Sequence, residues 1–466
     1  MRVALLCPYA LDVPGGVQGQ VMGLAREFLE MSIDVCIMAP ARGVGKGGTK
    51  YVAREQLGKL STDLNDRNML RPGIIEIVGR SIPLKANGSI APVDISPGSW
   101  VKGLRSIDRR GYDIVHIHEP FAPGIGYACM LACKLPMVGT FHRAGAGLPY
   151  RVLAPIARYG ASRIDSLCAV SYEAAQTACV ALGKGYLPNG ESTDDGRADR
   201  TIKILWNGID IRRFTGAHSA PYRNDMPGVA IRSSGSAAGS TDDAGLSSGS
   251  AAGSADDAGV SSGSAAGSAD SPAGSSSAIS PTSPVIVFAG RHEKRKGLHI
   301  LLEAFKDISN LPSRPVLWVI GEGPETIGLR STYGDDSGVV WLGAVDDEEL
   351  AYRIAVADIL CAPSLGGESF GMVPLEAMAA STLIVASDIP GYRAVIGDYG
   401  ILVPPGNARL LSEGLALALD AVQNGKPPAS LEDLSRARRH ASEYSMHALA
   451  LSYVDIYENV ASRSRR

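Results

Sequence analysis

Short apolar runs alternate with helically spaced segments along both ends of this 466-residue chain, and that alternation restricts what it can fold into. The runs on the N-terminal side are Val3–Cys7, Val35–Ala39, Ile114–Ile117, Met137–Phe141, Ser166–Val170 and Ile202–Trp206. On the C-terminal side they are Pro284–Ala289, Val316–Ile320, Val339–Leu342, Ile359–Ala362 and Leu383–Ala386. Runs this apolar on both faces suit parallel strands covered by helices above and below. Helical spacing lies between them: Val17, Val21, Leu24, Ala25, Phe28 and Leu29 fall on one face of a helix over Val17–Met31. The chain is too long for one ordinary domain, so the expectation is α/β architecture with two Rossmann-like domains facing across a cleft. The first covers 1–210 and the second 284–446.

Between the two, residues 233–274 hold three near-copies of one Ser/Gly/Ala-rich tract, SSGSAAGSTDDAGL, SSGSAAGSADDAGV and SSGSAAGSADSPAG. Their only large aliphatics are Leu246 and Val260. Such a segment cannot bury enough surface to offset its ordering entropy, so 219–283 reads as a disordered insertion. Stacking repeats need apolar positions that these copies lack. A second polar stretch, Asn189–Arg200, reads as a surface loop.

A formal charge of −3 gives no basic excess to draw in a phosphate backbone, which argues against a nucleic-acid binder. Four of the seven cysteines (Cys7, Cys36, Cys168, Cys361) sit in apolar runs as small hydrophobes. Cys129 and Cys133 fall on one helix face, no metal-ligand spacing appears, and a reducing cytoplasm is expected. Val3–Cys7 is too short for a signal-peptide core and is broken by Pro8. No stretch approaches the roughly 20 apolar residues of a spanning helix.

The chemistry concentrates in 366–380, GGESFGMVPLEAMAA, which follows the strand Ile359–Ala362 and opens a helix. Glu368 falls in the loop, and Glu376 lies beyond Gly371 in the helix, where two carboxylates can touch two parts of one ligand. A stray acidic pair on a surface helix is the bland alternative. Gly15-Gly16 in the loop after the first strand lets backbone approach a phosphate. The loop is not G-x-G-x-x-G, which disfavours a dinucleotide dehydrogenase. Gly43–Gly48 lacks the Gly-Lys-Ser/Thr ending of a P-loop. Gly290–Gly297 follows a strand with cations; Arg291 can fork two phosphate oxygens and Lys296 adds a point charge. Fixed cations there would meet the negative charge of a leaving diphosphate without a metal. Thr140-Phe141-His142 ends a strand at the same cleft, making His142 a site candidate. His116 and His118 share one face of their strand; scaffold is favoured over a two-histidine metal site. Trp100, Val101, Leu104 and Ile107 cluster opposite Lys102, Arg105 and Arg109, an amphipathic helix that covers a sheet or lies on an anionic membrane.

The Glu-x7-Glu segment together with MRVALLCPYALDVPGGVQ (1–18), NGS (87–89), DIVHIHEP (113–120), TFH (140–142), WNGID (206–210), Gly290–Gly297 and Leu342–Asp347 resembles the retaining glycosyltransferases of family 4, which have the GT-B fold. The likeness runs over nearly all of the ordered chain and leans to the branch that mannosylates phosphatidylinositol. It implies transfer from GDP-mannose, with no cofactor required, at the inner membrane face. It implies that Glu368 bonds the mannose hydroxyls and Glu376 the ribose, while Arg291, Lys296 and Gly16 hold the diphosphate and Asp347 reads the guanine. His142 would stand at the reacting centre, with Tyr9, Gln18 and Asn87 receiving the inositol headgroup. It also implies that the last helix, 447–466, packs back on the first domain. Two departures touch the acceptor: Arg143-Ala-Gly-Ala-Gly147 replaces a Thr/Ser and Lys pattern, and Pro92 stands where the family has Arg. Arg143 would then be the substitute cation for a lipid phosphate. A UDP-sugar with a soluble acceptor such as inositol phosphate, or a nucleotide-sugar epimerase, would keep the same fold.

Overall fold

The structure is a computed structural model that describes residues 1–13, 15–42, 50–51, 74–86, 89–145, 154–183, 185–188, 200–216, 283–334, 336 and 338–464. The stretch assigned above to 219–283 lies, but for Ser283, outside the described residues, as do Asn87 and Gly43–Gly48.

The first sheet has nine strands in the order β10-β11-β9-β8-β7-β1-β2-β4-β3. Its centre is β1 (Arg2–Leu6), paired in parallel on one side with β2 (Asp34–Ala41) and on the other with β7 (Ile114–His118). Outward from β2 come β4 (Ile75–Arg80) and the short β3 (Lys50–Tyr51), which is antiparallel to β4. Outward from β7 come β8 (Met137–Phe141), β9 (Ser166–Ala169), β11 (Arg200–Ile204) and β10 (Tyr186–Pro188). A separate hairpin joins β5 (Ile82–Ala86) to β6 (Ser89–Val93). The second sheet is wholly parallel, in the order β14-β13-β12-β15-β16-β17. It comprises β12 (Val285–Ala289), β13 (Val316–Ile320), β14 (Val339–Gly343), β15 (Ile359–Ala362), β16 (Leu383–Ser387) and β17 (Ile401–Val403).

Both sheets therefore reverse direction of build-up beside their first strand, between β1 and β7 and between β12 and β15. Loops leaving the carboxyl ends of such strands diverge and leave a crevice. Those loops are the Gly15-Gly16 loop, the end of β7, the cation loop after β12 and the Glu368 loop after β15.

Helix α1 (Gly16–Glu30) buries Val21, Leu24, Ala25 and Phe28 as its spacing predicts. Helix α2 (Pro97–Arg110) differs from the expected pattern: Gly103 and Ile107 are buried, whereas Val101 is 45% exposed beside the outward Lys102 and Arg105. The face turns because Gly103 lets the helix approach Ile125 of α3 (Ile125–Ala132) closely. Further helices among the described residues of the first half are α4 (Ala154–Ser162) and α5 (Tyr172–Leu182).

Two stretches pass between the halves and pair with each other. Ile209 N–H donates to Tyr444 O and Met446 N–H donates to Ile209 O, both at 2.9 Å. Leu205 packs on the first core, while Trp206, Ile209 and Phe214 of α6 (Ile211–Gly216) pack in the second. In the second half α7 (Leu298–Ile308), α8 (Thr326–Tyr333), α9 (Asp347–Val356), α10 (Met372–Ala379), α11 (Pro390–Ile396), α12 (Ala408–Asn424) and α13 (Leu431–Ser442) follow in order. The last helix, α14 (Met446–Ser464), returns to lie on α1, burying Leu449, Tyr453, Ile456, Tyr457 and Val460 in the first core. None of the described helices is long and apolar enough to cross a membrane.

Candidate active site

In the second half, the loop after β12 tightens into a 3-10 turn over Lys294–Lys296 and meets the loop after β15. Leu365 N–H donates to Arg295 O at 2.7 Å, tying the two backbones together. Gly297, at φ +72°, allows the approach: a Cβ there would stand 1.9 Å from Pro363 O. Glu368 is brought onto the turn, with Oε1 2.6 Å from Arg295 Nη1 and 2.9 Å from Lys296 Nζ. Burial pushes the Glu368 carboxyl up, but Lys296 and Arg295 outweigh it and hold the group below its usual 4.5, hence ionised. The buried Glu293 orders the cations from below, 3.0 Å from both Arg291 Nη2 and Arg295 Nε. Ser364 Oγ donates to Glu368 at 3.5 Å and shares a 2.9 Å bond with the Tyr392 hydroxyl.

The predicted pair of Lys296 and Glu368 thus meets directly, and Arg291 stands on the same loop through Glu293. Glu376 lies half-buried one turn into α10. Asp347, in the first turn of α9, is 3.7 Å from Arg213 Nη1 of α6.

In the first half Gly15 caps α1 with extended backbone and Gly16 is its first residue. Gln18 is buried, and its amide nitrogen donates to Ala10 O and Val13 O at 3.3 and 3.0 Å. Through that nitrogen it shapes the loop. Tyr9 bridges to Val93, and Ala10 N–H donates to the carbonyl of Pro92 at 2.9 Å. Burial first, then the charge of Glu119, push the Tyr9 hydroxyl up, while the charge of Arg143 pulls it down. His142 is 8% exposed at the end of β8; its N–H donates to Glu119 Oε2 and its Nε2 meets His118 Nδ1, both at 2.9 Å. Burial drives the His142 imidazole down to about 3, so it is neutral. The rings of His116 and His118 meet tilted, centroids 4.1 Å apart, and no group of three or more metal-ligating side chains exists among the described residues.

Two models cover most of the chain. The one for Glycosyltransferase Family 4 matches residues 14–185, and the one for Glycosyl transferases group 1 matches 274–433. The chain belongs to glycosyltransferase family 4. A phosphatidyl-myo-inositol mannosyltransferase of Mycolicibacterium smegmatis is 29% identical over 474 residues, covering 99% of this chain and 94% of that one. A D-inositol 3-phosphate glycosyltransferase of Corynebacterium urealyticum is 31% identical, but over only 38% of this chain and 44% of its own length. Among solved structures, an Anabaena HepE protein in complex with UDP-glucose superposes with a TM-score of 0.62 at 17% identity, covering 98% of this chain and all of that one. The family 4 fold is GT-B, as its motifs imply.

Three side chains of this glycosyltransferase escape the motif reading, Arg295, Glu293 and Glu119, while His118, read above as scaffold beside His116, meets His142. Arg295 was one of four cations in a run, and only the 3-10 turn decides which of them face Glu368. Glu119 lies inside HIHEP, and its φ of +50°, rare for a non-glycine residue, has no trace in composition.

Proposed function

We propose that this protein is a retaining transferase that moves mannose from GDP-mannose to phosphatidylinositol at the inner face of an anionic membrane. The observation that carries the reading is the extent of similarity. It runs along 99% of the chain for a protein named for phosphatidylinositol mannosylation and stops at 38% for one named for inositol 3-phosphate.

The geometry supplies a mechanism. As the sugar–phosphate bond breaks, positive charge gathers on the sugar and negative charge on the diphosphate. Lys296, Arg295 and Arg291 meet the latter from one loop, already oriented by Glu293 and Glu368, so little reorganisation is needed. Glu368 also offers acceptor oxygens to sugar hydroxyls, and Glu376 to the ribose. In this reading the acceptor hydroxyl attacks from the side the diphosphate leaves, and a phosphate oxygen takes its proton. On this reading His142, Tyr9 and Arg143 serve the acceptor, with Arg143 as the cation for the lipid phosphate. Closure of the two halves excludes water that would hydrolyse the donor. The outward cations of α2 offer a surface for anionic lipid.

The test is transfer from radiolabelled GDP-mannose to phosphatidylinositol in liposomes, with UDP-sugars and soluble inositol phosphate in parallel. Labelled lipid formed only from GDP-mannose is the expected result. Product only from a UDP-sugar or a soluble acceptor refutes the assignment while keeping the fold and both glutamates.

A further inference from the structure

We propose that His118 is a positioning residue: it donates from Nδ1 to His142 Nε2 and so fixes His142 as the neutral tautomer that carries its proton on Nδ1. The assignment begins with the far side of the His118 ring. Its Nε2 is buried and has no hydrogen-bond partner among the described residues. A stranded N–H is rarer and costlier in a protein interior than a stranded lone pair, so the proton belongs on Nδ1, where a partner waits at 2.9 Å. His142 Nε2 then accepts, and its Nδ1, which bonds no described residue, carries the hydrogen. His142 accordingly offers a donor, not a base, at the end of β8. The group it suits is an oxygen acceptor, a sugar hydroxyl or a phosphate oxygen.

The rest of the constellation holds both rings still. Glu119 takes the His142 N–H from a strained left-handed backbone, fixing the main chain while His118 fixes the ring. His118 is backed by His116, whose two nitrogens are both engaged, Nδ1 with Tyr457 OH at 2.6 Å and Nε2 with Thr140 Oγ1 at 2.8 Å. Thr140 in turn meets Tyr453 OH at 2.9 Å. The order of the site residue therefore extends through five side chains to α14, the last helix of the chain. The titratable and charged groups around this pair are Cys7 and Tyr9 after β1, His116 on β7 and Glu119 just after it, Arg143 after β8, Cys168 on β9, and Tyr453 and Tyr457 on α14. Burial keeps all three histidines neutral, which the tautomer argument requires.

The catalytic consequence rests on the reading of His142 as a site residue; the tautomer does not. The experiment is a long-range 1H–15N correlation spectrum of protein labelled with 15N-histidine, without substrate, on wild type, His118→Asn and His118→Asp. Asn keeps a donor near the Nδ1 position, and Asp replaces it with an acceptor of the same size. The expected wild-type and Asn spectra show His142 protonated on Nδ1, and the Asp spectrum shows it protonated on Nε2. In transfer assays His118→Asn keeps kcat within about threefold, while His118→Asp loses about tenfold in kcat, the scale of one hydrogen bond, with little change in donor KM. A wild-type His142 protonated on Nε2 overturns the proposal. So does equal loss in both variants with unchanged His142 resonances, which is what a merely structural role gives. If the Asp variant does not fold, the wild-type and Asn spectra still decide. Failure to mannosylate phosphatidylinositol would sink the proposed function and leave the spectral result standing.

Discussion

Burying three neutral histidines in one contact chain makes a specific demand on stability against pH. His116 and His142 are held down to about 3 and His118 well below its ordinary 6.5, in each case mainly by burial. The unfolded chain binds a proton at each as pH falls through 6.5, and the folded chain does not until far lower. Protons thus favour the unfolded state, and stability present above 6.5 is lost on acidification. At pH 5.0, 1.5 units below 6.5, each histidine costs RT ln(1 + 10^1.5), about 2 kcal/mol, so the three cost about 6. The figure depends on the unfolded value alone as long as the folded one is well below 5. His116→Gln removes one titrating group and leaves an amide to reach Thr140. Urea unfolding followed by circular dichroism at pH 7.5 and 5.0 should show the variant losing about 2 kcal/mol less than wild type across that interval. Its absolute stability will be lower, but the difference of differences isolates the proton. Glu368 does not intrude, because its contribution lapses only below 4.5. Identical pH dependence in the two proteins would refute the reasoning, since His116 would then titrate alike folded and unfolded.

Glu368→Gln leaves Arg295 with Glu293 but strips Lys296 of its carboxylate; transfer should fall about 10²-fold, and stability at pH 7 by about 1–3 kcal/mol. The folded carboxyl is depressed, so that stability gap is present above 4.5 and closes as pH falls further, which unfolding at pH 7 and 4 will read. Gln20 of α1 clasps Gly208 through both amide atoms, at 2.7 and 3.0 Å, and Gln20→Ala leaves both buried backbone groups unpaired. That should cost about 2–4 kcal/mol in urea unfolding and broaden the distribution of inter-half distances seen by small-angle scattering. Gly297→Ala forces a Cβ onto Pro363 O at a positive φ; donor KM should rise with acceptor KM unchanged, and unchanged donor KM would detach the turn from the donor site.

How far the site was legible follows from where each side chain finds its partners. Strands buried on both faces announce themselves by composition, which is why Met137–Phe141 and Val316–Ile320 were placed to the residue. Strand β4 hid because it carries Glu76, a buried carboxylate that takes Ser106 Oγ at 2.9 Å and Arg110 Nε at 3.4 Å. An interior charge satisfied from a helix 30 residues later looks, in sequence, like a loop. The donor half was readable because its chemistry is local: Lys296 and Glu368 each belong to a motif at a strand's end, and a parallel sheet puts those ends side by side. The histidine chain has no such local sign. Alternation along β7 puts His116 and His118 on one face, as their 4.1 Å ring contact shows, but the tyrosines that complete the network are more than 300 residues away. Tyr453 and Tyr457 stand four apart on a helix, a spacing that reads as core. They are core, and their hydroxyls are also where the order of His142 begins. A polar chain built across the fold from residues that each have an ordinary apolar reading becomes visible only when α14 is laid back against α1.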